Sequence, residues 1–255
     1  MARHVVVTGA GTGIGRAIAL RMAREGARLS LFARDLERLE ATAALAREVG
    51  ADSVFVRSLD IRKEETVAPA FDEASKEQGP IDVLVANAGI GGPNEPGDAD
   101  RFGDVVRTNL DGTYHCLRAA QRRLAPGPAA RHLIVIASIL ARIGVAGYTG
   151  YCASKAGLLG LVRALSSELA DQNVQVNAVC PGWVDTKMAR DGIDGIAAAM
   201  GVSHEEAYEV AMSQVPMGRM SAPEDVAGMV AWLASPDARG VTGQGLDMNG
   251  GAFMG

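Results

Sequence analysis

The chain has 255 residues, of which 48% are apolar, 22% charged and only 4% aromatic. That composition excludes disorder, collagen-like repeats and disulfide scaffolds, and a chain of this length buries roughly 70–75% of its unfolded surface without metals or disulfides. The net charge is −5 and no run of Lys or Arg exceeds two residues, which argues against nucleic acid, a partner that needs a clustered basic face.

The first apolar run, His4 to Thr8, reads as a strand and breaks into glycines, so MARHVVVTGAG is read as no signal peptide. A helix follows with Ile14, Ile18 and Met22 on one stripe, then a strand over 28–33 and a second helix carrying Leu36, Leu39 and Ala43. Short apolar runs at 53–57 and 81–86 flank a helical segment at 63–78, and the Gly/Pro-rich stretch 89–100 is a loop within the domain. Strands are expected at 133–138 and 174–179. Between them Leu158, Val162, Leu165 and Leu169 repeat at helical spacing. Val226, Met229, Val230 and Leu233 mark the last long helix, with Pro223 in its first turn, where a missing N–H costs nothing. Strand–helix alternation of this kind builds a parallel sheet with helices on both faces. The expected fold is α/β: one doubly wound Rossmann-type domain over 1–255.

The most apolar stretch, 132–141, is about half the ~20 residues that a membrane helix needs. Cys116, Cys152 and Cys180 form no CxxC pair, which suits reduced thiols and gives no metal-ligand spacing. A cytoplasmic protein without a metal is expected.

Two constellations carry chemistry. After the first strand, Gly9, Gly13 and Gly15 allow a tight turn into a helix whose free N–H groups and positive dipole end suit a pyrophosphate. The GxGxxG pattern itself fails, because Ile14 stands where its last glycine would be. The second is Tyr151-x-x-x-Lys155, whose i, i+4 spacing sets the two side chains together on one helix face. A phenol titrates near ~10, and a neighbouring ammonium is expected to lower that value enough for proton exchange at neutral pH. Ser138 closes the strand upstream, at the sheet edge where ligands bind in open parallel sheets. Tyr148 is a weaker candidate, because Cys152 rather than a cation stands four residues on.

TGAGTGIG, the tetrapeptide Ala86 to Gly89, Asn109, Ser138, Tyr151-x-x-x-Lys155 and Pro181-Gly182, in this order over essentially the whole chain, resemble the short-chain dehydrogenase/reductase family. The resemblance implies that Tyr151 is the general acid/base and that Lys155 holds the ribose hydroxyls. It also implies that Ser138 orients the substrate oxygen and that Asn109 positions a water leading to Lys155. For the cofactor it implies Gly9, Thr12, Gly13, Ile14 and Gly15 at the first turn, Asp60 at the adenine and Asn87 near the adenosine ribose. Ile61 and Gly89 join that surface, and Pro181, Gly182, Val184 and Thr186 lie along the nicotinamide end. One departure is Ala86, where the family usually has Asn, removing an expected backbone-bracing hydrogen bond.

NAD sites usually carry a carboxylate at the end of the second strand. Here Ala33 stands there, followed by Arg34, a guanidinium able to fork onto a 2′-phosphate, and Asp35 is read as a helix cap. NADP is therefore expected, with NAD as the alternative.

The segment 187–220 holds Met188, Met200, Met212, Met217 and Met220, half of the chain's methionines. The resemblance makes it a substrate flap, and it points to a ketoreductase of 3-oxoacyl thioesters or to a dehydrogenase of cyclic or other small secondary alcohols. Arg122, Arg123 and Arg131 are candidates for meeting an acidic carrier protein, although the acidic end of the neighbouring helix at Glu168 and Asp171 argues against one. A coenzyme A ester or free ketone is equally compatible. By the same resemblance the chain is expected to form a homo-oligomer, a tetramer or dimer. A non-catalytic dinucleotide sensor would not need Tyr151 and Lys155. Sugar epimerases share the pair but resemble longer chains.

Overall fold

The computed structural model describes residues 2–255. Alternating β-branched runs and helical stripes give strands β1 (His4–Thr8), β2 (Arg28–Ala33), β3 (Ser53–Ser58), β4 (Val83–Ala86), β5 (Arg131–Ile136), β6 (Val174–Pro181) and β7 (Gly245–Met248). All pair in parallel in the order β3-β2-β1-β4-β5-β6-β7. The order reverses between β1 and β4, so the crevice at their carboxyl ends lies between the turn after Thr8 and the segment after Ala86.

Both faces of the sheet are covered. On one, Val5, Val7, Leu29 and Leu31 pack against α1 (Gly13–Arg24), α2 (Leu36–Glu48) and α9 (Pro223–Leu233). On the other, Val6, Phe32, Leu84, Leu133 and Val135 meet α3 (Glu64–Gln78), α5 (Gly112–Gln121) and α6 (Thr149–Leu169). Leu158, Val162, Leu165 and Leu169 are each 1% exposed, so the helical stripe is core, and each such side chain is worth roughly 1.5–3 kcal/mol of apolar burial.

Several boundaries differ from the sequence expectations. β4 starts at Val83 rather than 81, since Ile81 makes only a bridge to Leu124 and gives its N–H to Arg123. β5 ends at Ile136, which leaves Ser138 beyond the strand, capping a 3-10 turn over Ile139–Ala141. β7 has no expected counterpart because its four residues, Gly-Leu-Asp-Met, offer only two apolar side chains, Leu246 and Met248, too short a pattern to mark a strand. The segment 187–220 folds into α7 (Lys187–Met200) and α8 (His204–Ser213) around a small apolar cluster of Ile193, Ala207, Ala211, Met212 and Val215. Ahead of α5, α4 (Phe102–Val106) runs into a π-helical turn, Arg107–Asp111. Among the described residues no helix is long and apolar enough to cross a membrane.

Candidate active site

The turn after β1 is braced without an asparagine at position 86. The Thr8 hydroxyl accepts the backbone N–H groups of Asn87 and Ala88, both at 3.0 Å, while Asn87 Nδ2 donates to the Thr8 carbonyl at 2.9 Å. A Cβ on Gly15 would lie 2.2 Å from the Gly9 carbonyl oxygen, so no larger residue fits where α1 crosses this turn. Gly13 (φ 50°) faces the Thr186 methyl, where a Cβ would stand at 3.2 Å. Thr12 begins α1 without a side-chain cap, and the first turn holds no acidic residue. By contrast Asp35, Thr186 and Ser203 cap α2, α7 and α8. An uncapped, acid-free helix start beneath a glycine turn fits a dinucleotide pyrophosphate.

Along the rest of the crevice, Asp60 follows β3 and is gripped by Arg62, whose Nη2 lies 2.7 Å from Oδ2. These hydrogen bonds hold its carboxyl below the usual range. Arg62 also reaches Asp104 at 3.0 Å, tying this loop to α4. Ile61 turns its side chain into the core against Gly112, and its carbonyl oxygen faces the same glycine. Arg34 is exposed at the end of β2, its carbonyl accepting from Ser58 at 2.9 Å. Asp35 is committed elsewhere, accepting from the Arg38 N–H at 3.1 Å and pairing with its guanidinium at 3.0 Å. On the far side Pro181 ends β6, and Gly182 presses on Asn249, where a Cβ would stand 2.9 Å from its Cα. Val184 bridges to Ser221 and Thr186 opens α7.

Tyr151 sits in the first turn of α6 with Lys155 one turn on, its Nζ 5.6 Å from the phenol ring centre. The Lys155 ammonium donates to the Ile136 carbonyl at 2.8 Å. A Cβ on Gly89 would stand 3.7 Å from this Nζ and 3.0 Å from Asn109 Oδ1, so the three residues meet at the floor of the crevice. Asn109 lies fully buried in the π-helical turn and clamps Ile90, accepting its N–H at 2.8 Å and donating to its carbonyl at 2.9 Å. Its second donor contact, at 3.2 Å, goes to Ser154. Both hydrogens of its Nδ2 are therefore committed to protein, and its Oδ1 holds the Ile90 N–H. Ser138 is 8% exposed and its hydroxyl accepts from the Leu140 N–H at 3.1 Å.

The electrostatics correct one expectation. Burial pushes the Tyr151 phenol above its ordinary value, opposed by hydrogen bonding to Ser138, and so the spacing to Lys155 alone does not acidify it. Burial also drives Lys155 down to about 8, which still leaves it charged at neutral pH. The carrier-docking reading of the arginines fails too. Arg131 is 7% exposed, with its guanidinium on the carbonyls of Gly127, Ala129 and Gln172. Arg123 is spent on Asp72 and the carbonyls of Ala119 and Ala68, so only Arg122 of the three is at the surface. Glu168 pairs with Arg118 at 2.8 Å across α5 and α6.

Residues 9–252 match the family model described as enoyl-(acyl carrier protein) reductase. The chain belongs to the short-chain dehydrogenase/reductase family. A Streptomyces coelicolor protein named for ketoacyl reduction is 39% identical over 251 residues, covering 96% of this chain and 95% of the relative. A Staphylococcus aureus 3-oxoacyl-[acyl-carrier-protein] reductase is 33% identical over 257 residues, covering 100% of this chain and 99% of the relative. The solved structure of a tryptophan variant of actinorhodin polyketide ketoreductase with NADPH superposes with a TM-score of 0.91 at 36% identity, covering 98% of this chain and 97% of that one. This short-chain dehydrogenase/reductase is an NAD(P)-dependent oxidoreductase acting on CH–OH groups.

Proposed function

We propose that the protein reduces a 3-oxoacyl thioester or a closely related ketone to the secondary alcohol with NADPH. The observation that carries this is Lys155 one turn from Tyr151 on α6, with Ser138 at the Tyr151 phenol, beside a crevice whose uncapped α1 start suits a pyrophosphate. Its relatives' names, ketoacyl reductase and 3-oxoacyl-[acyl-carrier-protein] reductase, support the substrate class.

When bound, NADPH supplies the hydride. The chain's own residues manage the oxygen and the proton. Ser138 donates to the ketone oxygen and fixes its position. Tyr151, its phenol held protonated by burial at neutral pH, delivers a proton as charge develops on that oxygen. Lys155 carries its charge below about pH 8, and in that form it can hold ribose hydroxyls and stabilise a transient phenolate. Asn109 keeps the floor in shape by fixing Ile90. Gly9, Thr12, Gly13, Ile14 and Gly15 would hold the pyrophosphate, Asp60 and Ile61 the adenine end, and Asn87 and Gly89 the adenosine ribose region. Pro181, Gly182, Val184 and Thr186 would line the nicotinamide end.

Arg34 would take the 2′-phosphate, since it stands exposed where an NAD-type carboxylate is missing. Arg34→Ala is expected to raise the KM for NADPH about tenfold or more and that for NADH by less than about twofold. Equal increases would refute NADPH selection by Arg34.

NADPH oxidation with acetoacetyl N-acetylcysteamine thioester, cyclohexanone and acetophenone tests the substrate class. The thioester is expected to give a kcat/KM at least about tenfold above the simple ketones; preference for cyclohexanone would move the protein to the cyclic-alcohol class. We further assign the helices α7 and α8 to a substrate flap. A homo-oligomer in the cytoplasm is the expected working state, in keeping with three unpaired cysteines.

A further inference from the structure

Helix α6 starts without a cap of its own. Its N-cap residue, Tyr148, makes no side-chain hydrogen bond to the first turn. The acceptor comes from elsewhere: Asn94, in the Gly/Pro-rich loop far upstream and 7% exposed, accepts the Gly150 N–H at 2.9 Å through Oδ1. The Thr149 hydroxyl lies 3.2 Å from the same oxygen. Asn94 Nδ2 donates to Thr149 Oγ1 at 2.9 Å and to Asp100 Oδ1 at 3.0 Å. Asp100 in turn accepts the Phe102 N–H at 2.9 Å, where α4 begins. The backbone agrees, since the Asn94 N–H reaches the Gly147 carbonyl at 2.8 Å. The approach is close: a Cβ on Gly150 would lie 3.1 Å from Phe102 Cα.

Gly150 immediately precedes Tyr151, and the loop that carries Asn94 leaves Gly89 beside Lys155 and passes Gly91 beneath Met188 of α7. One buried amide thus joins the first turn of the tyrosine helix to the loop that follows β4. We propose that Asn94 is a positioning residue for the reduction: its Oδ1 caps α6 from outside and sets the pose of Tyr151, while its Nδ2, through Asp100, pins the 89–100 loop, which runs from Lys155 to Met188 and so borders the substrate. The proposal rests on Tyr151 being the proton donor.

The two halves separate chemically. Asn94→Ala removes both and is expected to lower kcat by about tenfold to a hundredfold, since small misplacements of a reacting group cost rates of that order. Asn94→Asp keeps the acceptor for the Gly150 N–H but sets a carboxylate against Asp100. Its kcat is expected within about threefold of the parent, with a KM for acetoacetyl N-acetylcysteamine thioester at least about fivefold higher. Adding Asp100→Asn restores a donor–acceptor pair with the roles exchanged, so the double variant is expected to recover the parental KM. NADPH binding, followed by its fluorescence, and the thermal midpoint report folding in each variant and are expected to stay near parental.

The proposal is overturned if Asn94→Ala keeps the parental kcat, if Asn94→Asp loses kcat as fully as Asn94→Ala, or if the double variant fails to recover KM. Should Asn94→Ala misfold, Asn94→Asp and the double variant decide the matter. Parental turnover by Tyr151→Phe would instead remove the reading beneath the proposal.

Discussion

Tyr151→Phe is expected to lower kcat for ketone reduction by about 10²–10⁴-fold, the range that a positioned general acid contributes, while the Kd for NADPH should stay within about twofold. The substitution removes one oxygen and leaves the ring, the Lys155–Ile136 hydrogen bond and the Asn94 cap of α6 in place. The loss falls on kcat because the proton is needed only as the carbonyl oxygen gains charge. A parallel loss of NADPH binding would point instead to a damaged crevice. The quantities to measure are single-turnover reduction and fluorescence titration on the same preparation.

The second large effect is on stability in acid. Two histidines lie at the amino ends of the sheet strands, far from the crevice. His4 is fully buried, its ring between the Gly79 carbonyl at 2.7 Å and the Ser30 hydroxyl at 2.8 Å. A carbonyl only accepts, so Nδ1 carries the hydrogen and Nε2 accepts from Ser30. His132 is 4% exposed on β5, and its Nδ1 meets no partner. Burial lowers both rings from 6.5 to about 4, with Arg28 adding to the effect at His4 and Arg3 at His132. Because the folded values lie below the unfolded one, the unfolded chain takes up protons that the folded chain refuses. Stability is therefore intact above pH 6.5 and falls as pH drops from 6.5 to 4. Each ring costs about 3 kcal/mol across that window, taking about 1.36 kcal/mol per pH unit. Denaturant midpoints measured from about pH 7 to pH 4 should fall steeply in the parent. His132→Leu, which also removes the unpartnered nitrogen, should lose about half of that slope. An unchanged slope would show that His132 titrates normally in the folded protein.

Much of this architecture could be read along the chain because its signals are local. The Leu158–Leu169 stripe, the strand runs and the Tyr151/Lys155 spacing are periodicities, and periodicity is set by neighbours a few residues apart. Asp35 as a cap was also legible, being one residue before a helix start. What escaped depends on pairs distant in sequence. Asn94 reaches Gly150 across 56 positions, and the Thr8 hydroxyl braces Asn87 and Ala88 across 79 and 80, so the missing asparagine at 86 costs less than the motif suggests. Thr8 at a strand end before glycine was the one available hint. Arg131 looked like a surface charge by its type, yet the β5 start buries it and three carbonyls hold its Nη1 and Nη2. The phenol value of Tyr151 was misjudged for a related reason: spacing shows which side chains are neighbours, whereas desolvation depends on everything packed around them.

At the centre stands Lys155, buried, one turn from Tyr151 and resting on the Ile136 carbonyl. A crystal structure of the protein with NADPH tests its role directly. The account predicts that Nζ hydrogen-bonds the nicotinamide ribose, with the Tyr151 and Ser138 hydroxyls facing the nicotinamide ring. Lys155 remaining on Ile136 alone, with the nicotinamide bound away from Tyr151, would contradict it.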